Sequence, residues 1–416
     1  MHLPDDIPPD SPKSLPSISA NPADRELVLR LLAAAAFLIF FQSYLVAPLI
    51  PALSREFRAS AQVIGLLIPA YLLPYGFSTL FYGPLSDRVG RRPIMLVLLA
   101  LIVIATAGAA TAGSIAQLMA WRIAGGLVAG GIIPIALALI GDLFPYEQRG
   151  RALGWIFGAI AGGSAFGSTC GALLYPLMGW RVVFLAVAVA AVLILCITFV
   201  HRTMLDSPKL EHPLSLGQIA RTYLSLLAHR RGGRTYGFIF MNGVFHSGVF
   251  SWLGYYFSRR FDLGEAGIGL ALLGYGVPGL LLGPAIGHLA DRIGRRTIVP
   301  AGICLAALCA VALIPPAPLA WAALVVTFLS LGFDMTHPLL VGIITSLDAK
   351  RRGAAMGINA FVLFTGFGLG SLLFQELLRL GLNNALATFG FVQLAMGLLA
   401  IRTFRDESAD ATAARH

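Results

Sequence analysis

Twelve apolar stretches, separated by short polar breaks, fill the chain between residues 27 and 402. They run over 27–51, 62–82, 94–113, 115–140, 152–174, 181–200, 235–257, 266–287, 297–315, 319–343, 353–375 and 384–402. A helix needs ~20 apolar residues to cross a hydrocarbon layer about 30 Å thick. Backbone groups in that layer must be satisfied within the protein, and the stretches are far too long for barrel strands, so each is predicted to be a transmembrane helix. One longer interruption, residues 201–234, divides the spans six and six and reads as a cytoplasmic linker. Residues 1–26, rich in Pro, Asp and Ser, read as a disordered N-terminal tail, and residues 403–416 as a C-terminal tail. No basic segment leads directly into a short apolar run, so the start does not read as a signal peptide.

Charge adds the orientation. Twenty-three of the 30 Lys and Arg fall in the tails, the linker and the alternate breaks that share their side. Six fall in the opposite loops, and Arg122 lies inside a span. By the positive-inside rule both termini are expected in the cytoplasm. The same placement accounts for the net charge of +10 as a basic edge to the membrane rather than a nucleic-acid surface. Composition agrees: 57% hydrophobic and 12% charged residues leave too little polar surface for a soluble globule. Cys170, Cys196, Cys304 and Cys309 all sit in apolar runs, which points to packing rather than disulfides or metal.

The two sets of six spans repeat each other. At an offset of 204 residues, Tyr71 and Pro74 fall on Tyr275 and Pro278, Asp87-Arg88 on Asp291-Arg292, and Gly90-Arg91-Arg92 on Gly294-Arg295-Arg296. Six helices plus a linker per repeat makes the halves parallel, related by an axis along the membrane normal. Gly83 and Gly287 suit close helix approach, Gly90 and Gly294 a turn with positive φ, and the aspartates a helix N-terminus or the neighbouring arginines. The segment Gly83-Pro-Leu-Ser-Asp87-Arg88-Val-Gly90-Arg91-Arg92 resembles the loop signature between helices 2 and 3 of the major facilitator superfamily. Its copy, from Gly287 through Asp291, Arg292, Gly294 and Arg295, stands where that family repeats it, and the likeness extends over residues 27–402. The resemblance implies an all-α membrane protein of two pseudo-symmetric six-helix bundles, working as a monomer in a bacterial-type plasma (inner) membrane. It also implies that this loop latches the halves in one conformation without touching substrate. Asp142 is expected to join that latch across the cytoplasmic face.

Chemistry inside the spans is sparse. Arg122 and Gly126 resemble the family's helix-4 signature; an intramembrane arginine costs about 2.5–3.5 kcal/mol, so it either organises an interior network or snorkels outward. In the fifth span Gly158, Gly162-Gly163, Gly167 and Gly171 form a ladder of small residues. Drug/proton antiporters of the superfamily carry Gly-Pro-x-x-Gly-Gly there; this chain has Gly167-Ser-Thr-Cys-Gly171-Ala, with serine for the proline and alanine for the last glycine. Asp334 and His337, three apart on the tenth span, are expected on one helical face, as a protonation site with Arg122 as a further partner. Gln42, Ser43 and Tyr44 on the first span, and Asn242, His246 and Trp252 on the seventh, are the candidates to line a cavity.

No nucleophile elbow, phosphate loop or metal spacing is present, so neither catalysis nor a cofactor is expected. The expected partners are the bilayer, a small-molecule substrate and protons. Export of a small organic solute, drug-like or sugar-like, by proton antiport is the leading expectation. Proton-coupled uptake of a metabolite is the first alternative, and a sensor that moves nothing the second.

Overall fold

The computed structural model describes residues 21–206, 215–348 and 351–407, and every regular element among them is helical. Nine of the described helices are long and apolar enough to cross a membrane. Eight of these are spans 1–4 (Pro22–Glu56, Ala61–Val89, Arg91–Ala110, Ile115–Leu143) and 9–12 (Arg295–Ala312, Leu319–Thr345, Arg352–Leu380, Leu382–Thr403). The ninth, Tyr146–Val200, is two spans (5 and 6) joined at Gly179, where φ of 74° follows Pro176 and turns the chain. Span 7 comprises Arg230–Ser251 and Leu253–Phe261, and span 8 Glu265–Ala271 and Val277–Ile293, completing twelve.

Some span ends differ from expectation; span 7, for one, starts at Arg230 rather than 235. Span 1 starts at Pro22, so residues 22–26 are helical rather than tail: the Asn21 side chain accepts from the Ala23 amide, and Pro22 occupies the first turn. Residues 1–20 lie outside the described residues. The linker holds a helix, Leu216–Ala228, closed at its start by a reciprocal bond between Ser215 and Gln218. At 13 residues it is too short and too amphipathic to register as an apolar span.

Small residues set the packing within each half, and the repeat carries it over. On span 5, Gly163 and Gly167 lie against the Phe37 and Phe41 carbonyls of span 1. On span 11, Gly366 and Gly370 lie against the Phe240 and Val244 carbonyls of span 7. A side chain at any of these would collide with backbone, which cannot yield.

The halves meet along spans 2 and 11, where Gly76 lies against Phe361 and Phe364 and Gly368 against Leu73, and at the face away from the arginine-rich loops. Gly254 abuts Pro48, the Trp252 ring covers Gly65, and Gly276 and Gly269 press on Ala165 and Leu173 of span 5. An Arg55–Glu265 ion pair also crosses there. Toward the arginine-rich face spans 5 and 8 part: Gly154 and Gly158 of one, and Gly283 and Gly287 of the other, have nothing beside them. Gly83 likewise stands in open space, so the close approach expected at Gly83 and Gly287 is absent from this arrangement.

Gly90 and Gly294 do adopt the expected positive φ, 110° and 84°, each ending one helix and starting the next. That backbone region is essentially closed to other residues, at a cost of about 1–3 kcal/mol. Gly90→Ala and Gly294→Ala should each lower the melting temperature of the purified protein by several degrees. Gly83→Ala and Gly287→Ala should leave it unchanged. Equal effects at all four positions would contradict this geometry.

Candidate functional site

Span 1 breaks after Tyr44 and span 2 loosens over residues 66–68, which releases main-chain carbonyls in the middle of the first half. Arg122 of span 4, 3% exposed, collects them: its guanidinium donates to the carbonyls of Gln42 (3.0 Å), Ser43 (3.4 Å) and Leu67 (3.2 Å). Its charge also lies 4.1 Å from the centre of the Tyr71 ring. The Gln42 side chain is consumed in the same network, donating to the Tyr71 hydroxyl (3.3 Å) and accepting from Thr106 (2.9 Å). Ser43 donates back to the Ile39 carbonyl (2.7 Å). Gln42, Ser43 and Arg122 therefore tie the first half together rather than lining a cavity or partnering Asp334.

The second half repeats this geometry with other chemistry. His246 stands where the 204-residue offset places Gln42, and Tyr275 where it places Tyr71; their side chains meet at 3.0 Å. Arg122 and Thr106 are replaced by Val326 and Ala310, so the histidine lacks the surrounding donors of its counterpart. Gly130, packed on Tyr75, is replaced by Asp334, and Tyr75 in turn by Gly279. A Cβ at Gly279 would come within 2.8 Å of the Asp334 carboxylate, so the glycine makes the space the acid occupies. The Gly279 amide donates to that carboxylate, while its Oδ2 has no hydrogen-bond partner although it is buried.

Asp334 and His337 stand on either side of a break in span 10. Span 10 ends one helix at Asp334 and begins the next at His337, because Pro338 supplies no amide to carry the ladder across. His337 Nδ1 is also buried without a partner. The Phe333 ring lies between the two imidazoles, 3.9 Å from His246 and 5.3 Å from His337. Phe367 and Phe250 complete the enclosure around His246, and Tyr44 reaches Phe250 from the first half at 5.2 Å. Of the residues picked from sequence, Tyr44, His246, Asp334 and His337 thus gather at the boundary between halves. Asn242 is turned inward, donating to Thr336 (2.8 Å) and accepting from Gln393 (3.3 Å). Trp252 donates to the Ser371 carbonyl (3.2 Å) and seals the far face.

Sequence reasoning missed Tyr275, Phe333, Phe367 and Asn359. The repeat register could have found Tyr275, since it pairs with Tyr71 as His246 does with Gln42. Asn359, buried on span 11 with its oxygen unpaired, gives no such signal.

At the arginine-rich face the first half is held by ions. Arg91 joins Asp142 (2.5 Å) and Asp87 (3.3 Å), and Arg92 joins Asp206 (2.9 Å), so Asp142 enters this cluster through Arg91; Arg88 is exposed at the helix end. The second half uses its tail: Glu407 takes Arg231 at 2.6 and 2.8 Å and Arg234 at 3.2 Å, and its carbonyl accepts the Arg296 amide. Arg295 adds its charge there, Arg292 is exposed, and the Asp291 side chain lies outside the described residues. These contacts bind each half to itself.

A match to the model of the Major Facilitator Superfamily covers residues 32–371 and again 239–415, and the chain belongs to that family. It is 27% identical over 344 residues to the MFS-type transporter YceJ of Bacillus subtilis (strain 168), covering 80% of this chain and 85% of that one. A shorter likeness, 34% over 138 residues, covers 33% of this chain and 35% of Multidrug resistance protein D of Escherichia coli (strain K12). The fold superposes on a D-xylose–proton symporter with a TM-score of 0.73, at 19% identity, over 90% of this chain and 96% of the other. The protein is therefore a membrane-embedded transporter of small substrates and not an enzyme.

Leaving buried carbonyls unsatisfied costs about 1–3 kcal/mol each. Arg122→Leu should thus lower the melting temperature markedly and Arg122→Lys less so; an unchanged melting curve for both would refute the carbonyl-binding role. Burial alone would push the Glu407 carboxyl up, but hydrogen bonds from Arg231 and the charges of Arg231, Arg234 and Arg295 hold it below the usual range. A depressed carboxyl stabilises the fold above its unfolded pKa of about 4.3 and ceases to do so as pH falls further. The acid-side loss of melting temperature should accordingly be shallower in Glu407→Gln than in the unaltered protein.

Proposed function

We propose that the chain exports a small organic solute, drug-like or sugar-like, in exchange for protons, with Asp334 as the proton carrier. The arginine-rich face is then cytoplasmic, with both termini inside the plasma (inner) membrane of a bacterial-type cell. The present arrangement, parted at that face and closed at the other, is inward-facing. The observation that carries this reading is the buried Asp334 carboxylate with one oxygen unpaired, at a broken helix between the halves.

The physics of exchange follows from that oxygen. A bare carboxylate sealed into hydrocarbon loses several kcal/mol of solvation. Closing the halves over it is tolerable when it carries a proton or when a bound solute supplies donors, and unfavourable when it carries neither. Proton and solute thus cross in opposite directions on successive turns. One charge moving through ~100 mV yields about 2.3 kcal/mol. That sustains a solute gradient of roughly fortyfold at 1.4 kcal/mol per decade. In this reading His246 and Tyr275, whose side chains meet at 3.0 Å, relay the proton, with Tyr44 and Phe250 as walls.

Ligands that bind the native state raise its melting temperature, so a screen of drugs, sugars and organic acids supplies a substrate. In proteoliposomes loaded with that compound, an inward proton gradient should drive its release. Asp334→Asn should abolish gradient-driven release while preserving exchange of labelled for unlabelled compound. Proton-driven accumulation in the same direction as the proton would establish the uptake alternative. Full gradient-driven release by Asp334→Asn would remove the acid from the mechanism.

A further inference from the structure

The linker helix Leu216–Ala228 presents two apolar strips. Ile219, Tyr223 and Leu226, spaced i, i+4, i+7, turn toward the protein: Leu226 is buried, and the Tyr223 hydroxyl donates to the Leu80 carbonyl of span 2 (3.0 Å). Tyr223 also lies over Gly357 of span 11, and Arg351 donates to Ser225 (3.2 Å). The second strip, Ala220, Leu224 and Leu227, has the same spacing and is exposed; Leu224 is 64% and Leu227 38% accessible. Arg221 follows this strip around the helix, and Arg230 follows the helix end; both are exposed.

Depth decides what covers the exposed strip. Leu80 is eight residues inside span 2 from Arg88, or about 12 Å along the axis. Tyr223 reaches that carbonyl, so the linker helix is drawn up to the level where span 2 already exposes Phe77, Phe81 and Leu85. Bare leucines beside such exposed aromatic and leucine side chains suit an acyl layer, and arginines at the helix end suit phosphate headgroups.

We infer that the linker helix is an interfacial anchor, its Leu224–Leu227 strip inserted in the leaflet at the arginine-rich face and its arginines drawn to anionic headgroups. An uncharged loop of the same length would span the same gap without sensing lipid charge. This helix also hydrogen-bonds span 2 while packing on span 11, so its seating in the leaflet bears on how the two halves lie at that face.

Hydrogen exchange on the full-length protein in lipid discs tests this. Discs of phosphatidylethanolamine alone are compared with discs in which a third of the lipid is phosphatidylglycerol. Amides of 216–228 should exchange about tenfold more slowly in the anionic discs, and high salt should erase the difference. Arg221→Gln combined with Arg230→Gln should remove the dependence on lipid charge, and Leu224→Glu should raise exchange in both compositions. Exchange indifferent to lipid composition would overturn the assignment. So would protection that arises only in discs holding two copies, which would make the strip a contact between chains.

Discussion

The guanidinium of Arg122 and the three carbonyls it binds set the terms for the first half. Hydrocarbon offers no water to a broken helix, so every released backbone group needs a partner from the protein. Spans 1 and 2 both break inside the bundle, and one arginine on span 4 closes both breaks. Thr106, Gln42 and Tyr71 complete a set whose donors and acceptors are matched. Such a set is rigid, because any displacement strands a buried polar atom. The first half is for this reason stiff where its spans break.

The duplicated half shows what happens when the set is dismantled. Valine and alanine replace the arginine and threonine, and histidine replaces the glutamine. An aspartate enters where a glycine stood, opposite a glycine that replaces a tyrosine. Both halves nevertheless keep the same glycine-on-carbonyl packing, span 5 on span 1 and span 11 on span 7. The polar balance is not kept: Asp334 and His337 have buried atoms without partners. Unmatched polar atoms destabilise a resting protein, yet they are what a transported proton or solute can satisfy. Matched and unmatched polar sets are thus divided between two copies of one design.

How much of this was legible from sequence varied with the physics involved. Twelve spans, their grouping and the glycine turns at 90 and 294 follow from hydropathy, charge and backbone sterics, which are local. The amphipathic linker helix escaped a search for apolar length, although its Ser215–Gln218 cap was readable. Helix breaks decided the site, and these depend on context: Pro338 signalled one, but the pairing of Asp334 with His337 presumed a continuous helix. Arg122 was recognised as interior-facing or snorkelling, and its true partners are main-chain atoms that no side-chain pattern reveals. Gly83 and Gly287 were expected in tight contact and stand open, since a sequence records positions used in every conformation while one structure holds a single arrangement.

The two faces of the molecule are joined by different forces, and this bears on the cost of rocking. At the closed face the halves touch through glycines laid on Pro48, Trp252, Ala165 and Leu173, with a single ion pair at the margin. Opening this face to solute exposes those surfaces to water, so their separation costs packing contacts and about 25 cal/mol for each Å² of apolar area uncovered. An exposed ion pair adds no more than about 1 kcal/mol. At the arginine-rich face the strong charges are paired within their own halves, Arg91 with Asp142 and Arg231 with Glu407. These clusters stiffen each bundle's end yet need not break when the bundles move. The Tyr223–Leu80 bond ties the linker helix to span 2 there, and it is one neutral hydrogen bond, worth about 1 kcal/mol. The packing of spans 2 and 11, with Tyr75 stacked on Phe364 at 4.0 Å, joins the halves between these two ends, and under the proposed exchange the occupancy of the Asp334 carboxylate biases which end opens.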